Sequence, residues 1–586
     1  MSVAVLPSHH ARLRWQRPGV AWLLAPAVVF LGFIYALPLL DLVRISFQGP
    51  TAFAHFARVF AVPLYWESLV RTIGIAGSVV ALCAVVGYPA ALLIYRSTGL
   101  LKTVLMGAVI LPYFLAILIR TYAWMVLLGR RGPINQVLQW LGLTDAPAEL
   151  LFNRGAVLLG MTAVLLPLMI LTIYSGLTRL DPAVLRAGRA AGAGPLAVFW
   201  RVLFPQTLPS VAAGGLLVFV SALGFFITPT LLGGPGDQMF AMHITQQSDF
   251  LTSEGFLQAL AVVLLAITLL LVAVASRFLG LEFIWGGQKL PAAAHEHRGV
   301  HSRLAKTLHT TLADSVGWPL LRLLGRLPER VGSWSAGATG LGVVLVLVLP
   351  IVVVAVISFS SASYLSFPPP GYSLRWYRQF ISDSGWMTAF GTSVGIALLS
   401  ALLALVLGAA AALAIVRSSF RGKALVMTLL VSPLIVPPVV LGLSLYAYVL
   451  RLDLIGTVPG VAMAHAIGGI PLVVVLVAAS LQSVDRSLER AAAVHGAAPW
   501  RVFTQVTLPA IAPGLGAAAF FAFLHSFDEL VLSMFLAGST MSTLPLRLWA
   551  DVNYQLNPVL AVVSTLEVVL VVAGISFARR TLAGRP

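Results

Sequence analysis

The chain has 586 residues, 59% hydrophobic and only 10% charged, with a mean hydropathy of +0.96 and a net charge of +17. Soluble domains carry about 25% charged residues, so a chain folded in water is excluded. The basic excess does not mark a nucleic-acid protein either, because Lys and Arg stand scattered at the ends of apolar runs.

In chain order, Arg12, Arg14 and Arg17 precede an apolar run at about 22–43. That run exceeds the roughly 7 to 15 residues of a signal-peptide core and has no small-residue cleavage site after it, so a retained first span is expected. Further spans are expected at 70–95, 103–127, 155–178, 210–233 and 256–280, then at 338–360, 390–416, 424–450, 461–482, 512–536 and 557–577. Each exceeds about 18 residues, enough to cross roughly 30 Å of hydrocarbon as a helix. The expected fold is therefore an all-α integral membrane protein of about 12 transmembrane helices. Cys83, the single cysteine, lies inside one run, so no disulfide can form and packing is its expected role.

Threading the runs alternately places about 26 of the 37 Lys and Arg on one side, which the positive-inside rule makes cytoplasmic. Both termini fall on that side. Between the halves, 281–336 turns polar and basic, with Gly286, Gly287, Lys289, His295, Glu296, His297 and Arg298, and reads as a cytoplasmic linker that can meet lipid headgroups. The halves, 1–280 and 337–586, share Ile45-Ser46-Phe47 with Ile357-Ser358-Phe359, and Arg96-Ser97 with Arg417-Ser418. Six spans in each half make them parallel repeats about an axis along the membrane normal.

The clearest repeat is polar. Residues 181–209 and 485–513 align without a gap, with about 11 of 29 positions identical where chance gives roughly two. Asp181-Pro182 and Asp485 are helix starts, and helices are expected over 183–191 and 488–495. The breaks fall at Gly192 to Pro195 and Gly496 to Pro499, and a second short helix is expected to end at Pro205 in the first copy. Each copy follows the fourth span of its half.

This spacing resembles the EAA loop of binding-protein-dependent ABC transporter permeases: Glu-Ala-Ala, three residues, Gly, nine residues, Ile-x-Leu-Pro. It stands here as Arg186-Ala187-Gly188, Gly192 and Val202-Leu203-Phe204-Pro205, and again as Arg490-Ala491-Ala492, Gly496 and Val506-Thr507-Leu508-Pro509. Both copies carry Arg where the family has Glu, and Glu489 stands one residue early in the second copy only. Leu111-Pro112-Tyr113, the run Leu118 to Trp124 and Leu231 to Gly234 resemble the first permease subunit of spermidine/putrescine importers; Ser526 to Glu529 and Thr543 to Leu546 resemble the second.

The resemblance implies two permease subunits of the MetI-like, type I importer fold fused in tandem in a bacterial inner membrane. It also implies coupling helices seated on two cytoplasmic ATPase subunits, which use ATP-Mg, and an extracytoplasmic solute-binding protein. No nucleic acid, bound cofactor or metal is expected. No phosphate-binding Gly-x4-Gly-Lys-Ser/Thr loop occurs, so the chain is not expected to be an enzyme.

Ionisable residues within spans cost about 2.5 to 3.5 kcal/mol each and are functional candidates by default. Asp528 and Glu529, late in the eleventh span, either hold an ammonium group together among aromatic rings or bond water or nearby groups. Arg120, with Tyr113, Tyr122 and Trp124 nearby, either answers Asp528 or snorkels to the outer interface, the interface being favoured. Glu567, in the twelfth span, either lines the path or meets a buried polar group. The expected cargo is a polyamine or related small cation, with ferric iron and 2-aminoethylphosphonate as other cargoes. A twelve-helix secondary transporter is the competing class.

Overall fold

The computed structural model describes residues 18–248, 255–279, 329–364, 367–554 and 557–583. Among these the chain is helical, with one isolated backbone bridge between Ser360 and Tyr372. The first half runs α1 (Val20–Ser46), α2 (Pro63–Arg96), α3 (Gly99–Tyr113), α4 (Ile117–Leu128), α5 (Arg154–Thr178), α6 (Pro182–Ala190), α7 (Phe204–Leu223), α8 (Ile227–Leu232) and α9 (Phe256–Leu279). The second repeats the order as α10 (Glu329–Ser358), α11 (Ser384–Arg417), α12 (Lys423–Val431), α13 (Pro438–Arg451), α14 (Val458–Ser483), α15 (Arg486–Val494), α16 (Leu508–Phe527), α17 (Val531–Leu536) and α18 (Val559–Ala583). Among the described residues nine helices are long and apolar enough to cross a membrane, and up to 11 if two bent pairs each count as one span. The shorter apolar helix Val559–Gly574 stands where the twelfth run is expected. The expected linker lies outside the described residues up to 328, and α10 already begins at Glu329.

Two expected spans are not straight. The helices on either side of 114–116 meet at 101°, and those on either side of 435–437 at 99°. Extending the Arg96/Arg417 register without a gap pairs Pro112 with Pro433, Ala116 with Pro437 and Ile117 with Pro438. Ala116 (ψ 133°) and Pro437 (ψ 133°) are both extended, and each opens the helix that follows. Proline removes a backbone donor and disfavours helix in the residue before it, so the second break is written directly in Pro437-Pro438.

The expected stop at Pro205 is not a stop. A single wide turn, Phe199–Leu203, carries the backbone into α7, with the Phe204 N–H bonded to the Phe199 carbonyl. Phe503–Thr507 does the same ahead of α16. A wide i→i+5 turn accommodates the ring of Pro205 or Pro509, which lacks an N–H and would clash in a tight helix. The fifth and eleventh spans therefore begin earlier than expected and end earlier, at Leu223 and Phe527.

The first span of each half crosses to the other half. Helix α1 packs on α11, α12 and α13, while α10 packs on α2, α3 and α4. Close approach needs small residues: a Cβ on Gly340 of α10 would stand 2.7 Å from the Pro89 carbonyl oxygen of α2. Within each half the fourth and fifth spans meet through one glycine and one serine. Gly176 faces Ser210 in the first half, and Ser480 faces Gly514 in the second, so the roles are exchanged at equivalent positions.

Candidate functional site

Both repeated loops form as capped short helices. Asp181 accepts from the Ala183 N–H at 2.8 Å to start α6, and Asp485 accepts from Ser487 at 2.8 Å to start α15. That amide bond holds the Asp485 carboxyl below its usual range. Gly192 and Gly496 take φ of +79° and +81°, a left-handed turn that a side chain would strain. Replacing Asp181 with alanine should speed amide exchange across 183–191 by about fivefold, from the roughly 1 kcal/mol of a lost cap. Hydrogen exchange by mass spectrometry reads this, and an unchanged rate would remove the cap from the account.

No residue of α6 or α15 is buried. Arg186, Ala187, Gly192, Arg490, Ala491, Gly496 and Pro509 are exposed, while Gly188, Pro205 and Ala492 are half-buried. Val494 and Trp500 are 85% and 71% exposed, so the second loop also presents apolar surface. Glu489 behaves differently from its neighbours. Its Oε1 accepts from Arg417 at 2.7 Å and from the Thr507 hydroxyl at 2.9 Å, and the Glu489 side chain is only 14% exposed.

The second site lies where the halves meet. The fifth span of each half stops at a break, Gly224 to Phe226 or Asp528 to Leu530, and each break faces the broken third span of the other half. On one side Asp528 accepts from the Ile117 N–H, and Glu567 accepts from the Ala116 N–H. These are donors left free where α4 begins, and carboxylates suit that end of a helix. On the other side Gly224 occupies the position of Asp528, and a Cβ there would sit 3.1 Å from Pro437 Cβ. Pro437 and Pro438 have no N–H to satisfy, so glycine suffices.

The rest of the charge is equally one-sided. Arg120 corresponds to Leu441 in the ungapped register, and Glu567 to Ile267 when Leu260 to Val263 is laid on Leu560 to Val563. Arg120 is 8% exposed and Glu567 6% exposed. The Arg120 Nη1 donates to the Val164 carbonyl at 2.9 Å, while its Nε has no partner. Its guanidinium lies in the field of Asp528, Tyr113 and Glu567. Arg120 thus faces the second half and does not reach the outer interface, because the break turns the first turn of α4 inward.

The expected acid pair separates. Asp528 turns to α4, whereas Glu529 Oε1 caps α17 through the Leu532 N–H at 3.1 Å. Tyr122 and Trp124 are buried at 1% and 4% exposure, so they pack the core, and only Tyr113, 38% exposed, remains beside Arg120. Sequence reasoning missed His465, which shares hydrogen bonds with Ser526 at 2.9 Å and Ser533 at 3.3 Å. It pins the helix before the break to the helix after it. A lone histidine within an otherwise apolar run was the available signal.

Residues 83–280 and 404–581 each match the family model described as "Binding-protein-dependent transport system inner membrane component". The spermidine/putrescine transport system permease protein PotB of Escherichia coli (strain K12) is 36% identical over 172 residues, covering 29% of this chain and 62% of that relative. The chain thus spans about three-fifths of that relative's length. PotB of Haemophilus influenzae is 33% identical over 207 residues, 35% of this chain and 71% of the relative. The putrescine transport system permease protein PotI of Escherichia coli (strain K12) is 34% identical over 214 residues, 33% of this chain and 72% of the relative. A crystal structure of a bacterial alginate ABC transporter, in complex with alginate pentasaccharide-bound periplasmic protein, aligns with 45% of this chain and 96% of its own at 18% identity and a TM-score of 0.40.

Proposed function

Because the chain belongs to the binding-protein-dependent transport system inner membrane component family, with two copies of its domain in tandem, we propose that it supplies both permease domains of an ATP-driven importer for polyamines or similar small cations. The observation that carries this reading is the twin loops: two exposed, Asp-capped helices of matching length and turn, one per half. Each is the seat for one cytoplasmic ATPase subunit, and the uncovered Val494 and Trp500 add apolar area for that contact. The ATPases bind and hydrolyse ATP-Mg; a solute-binding protein delivers cargo from outside; the termini lie on the cytoplasmic side. The exposed Arg186 and Arg490 suit acidic partners on the ATPases.

For the cargo, the support is chemical. Two carboxylates, Asp528 and Glu567, face one guanidinium at the meeting of the halves, with Glu529 next to Asp528 in the chain, an environment that favours added positive charge. The relatives named for spermidine and putrescine agree with that class. Asp528 and Glu567 bond the start of α4 in this structure, and rocking of the halves would release them to cargo.

The test is uptake in proteoliposomes holding the chain, its ATPase and its binding protein. Asn at 528 still accepts from the Ile117 amide but carries no charge. Asp528→Asn should elute as the wild type does yet lose roughly tenfold in spermidine uptake, the equivalent of about 1.4 kcal/mol. Unchanged uptake would remove the carboxylate from the cargo path.

A further inference from the structure

We propose that Glu489 is a positioning residue inside this chain, an ionic strut that ties the second coupling helix to the membrane bundle, and that the first coupling helix has none. The inference rests on the importer reading above. The strut joins four elements. Glu489 sits on α15; Arg417 ends α11; Thr507 ends the wide turn that leads into α16; and Arg417 Nη2 also reaches the Leu481 carbonyl of α14 at 3.4 Å. The Arg417 and Glu489 side chains are 6% and 14% exposed, so a protein surface seated on α15 meets Arg490 and not Glu489.

Among the described residues the first half does not form this node. The loop register puts Leu185 at the position of Glu489 and Leu203 at that of Thr507. Arg96, the counterpart of Arg417, is exposed and lies in the field of a second cation, Arg189. One coupling helix is therefore joined to its bundle by a charge-assisted bond of fixed direction, whereas at the matching position of the other Leu185 packs on the apolar core. A directed bond transmits displacement of α15 to α11, α14 and α16 together, whereas apolar contact permits slip. The two loops accordingly do unequal work: the second drives its half, and the first follows.

The assay uses the whole transporter in proteoliposomes, comparing wild type, Glu489→Gln and the double variant Glu489→Gln/Arg417→Gln. The double variant keeps a neutral hydrogen-bonding pair and leaves no lone buried charge, which guards against simple misfolding. Three quantities are read: ATPase co-purification, ATP hydrolysis, and substrate moved per ATP. The expected result is retained co-purification with at least about a fivefold fall in substrate moved per ATP in both variants, the scale of a lost coupling term. The matching change Leu185→Gln in the first loop should leave that ratio within about twofold. An unchanged ratio in the Glu489 variants, or loss of ATPase capture by a chain that remains folded, overturns the strut. A wild-type chain that captures no ATPase overturns the importer reading itself, which separates the two failures.

Discussion

Replacing Arg120 with leucine, the residue that the other half carries at the matching position, is expected to destabilise the chain by about 3 kcal/mol. The side chain is 8% exposed and donates to the Val164 carbonyl, and among the described residues its charge is the cation that faces Asp528 and Glu567. Its removal leaves the buried Glu567 and half-buried Asp528 carboxylates with backbone amides alone to face. A thermal-stability series by size-exclusion chromatography in detergent reads the loss. Removing one negative charge as well, in Arg120→Leu/Asp528→Asn, should recover part of it. A single variant as stable as the wild type would mean that the carboxylates are held by the amides alone and that Arg120 serves another purpose.

The converse substitution, Gly224→Asp, is expected to be at least as damaging. It writes the second half's residue into the first half, where the facing positions are Pro437 and Pro438 and the nearby cation is replaced by Leu441. A carboxylate there finds no N–H and no positive charge, at a cost of about 2.5 to 3.5 kcal/mol, and its Cβ is crowded against Pro437. Yield of folded chain after membrane extraction should fall sharply. Supplying the missing partners, with Pro437→Ala, Pro438→Ile and Leu441→Arg in the same chain, should restore it. Full yield of Gly224→Asp alone would show that the prolines do not exclude the acid.

Those two substitutions also mark where the sequence stops being legible. The repeated loops could be read almost residue by residue, because capping aspartates and left-handed glycines act locally: Asp485 caps and Gly496 turns where expected. The apolar runs likewise report spans, since hydropathy responds to composition. It does not respond to direction, so the bends near 100° at 114–116 and 435–437 passed as continuous runs, although Pro437-Pro438 carried the signal. Pro205 does not stop the helix for the opposite reason: the proline is plain in the sequence, but the wide turn that accommodates it is invisible in composition. Partners distant in sequence were the least accessible. Nothing local says that Asp528 meets Ile117, or that Glu489 turns away from its own exposed helix face to reach Arg417.

The crossing of α1 onto α11, α12 and α13 has a consequence for synthesis. Val20–Ser46 is made early, and besides α9 the helices that cover it span residues 384–451. At the usual 5–20 residues per second, α1 waits roughly 20 to 70 s in the bilayer before its second-half partners exist. The Asp41 carboxylate, which ends up bonded to Arg451 at 2.9 Å, has only Arg44 on its own helix during that interval. Carrying both halves on one polypeptide ensures that the late partner arrives attached, at a local concentration of order millimolar, and not by a search through the membrane.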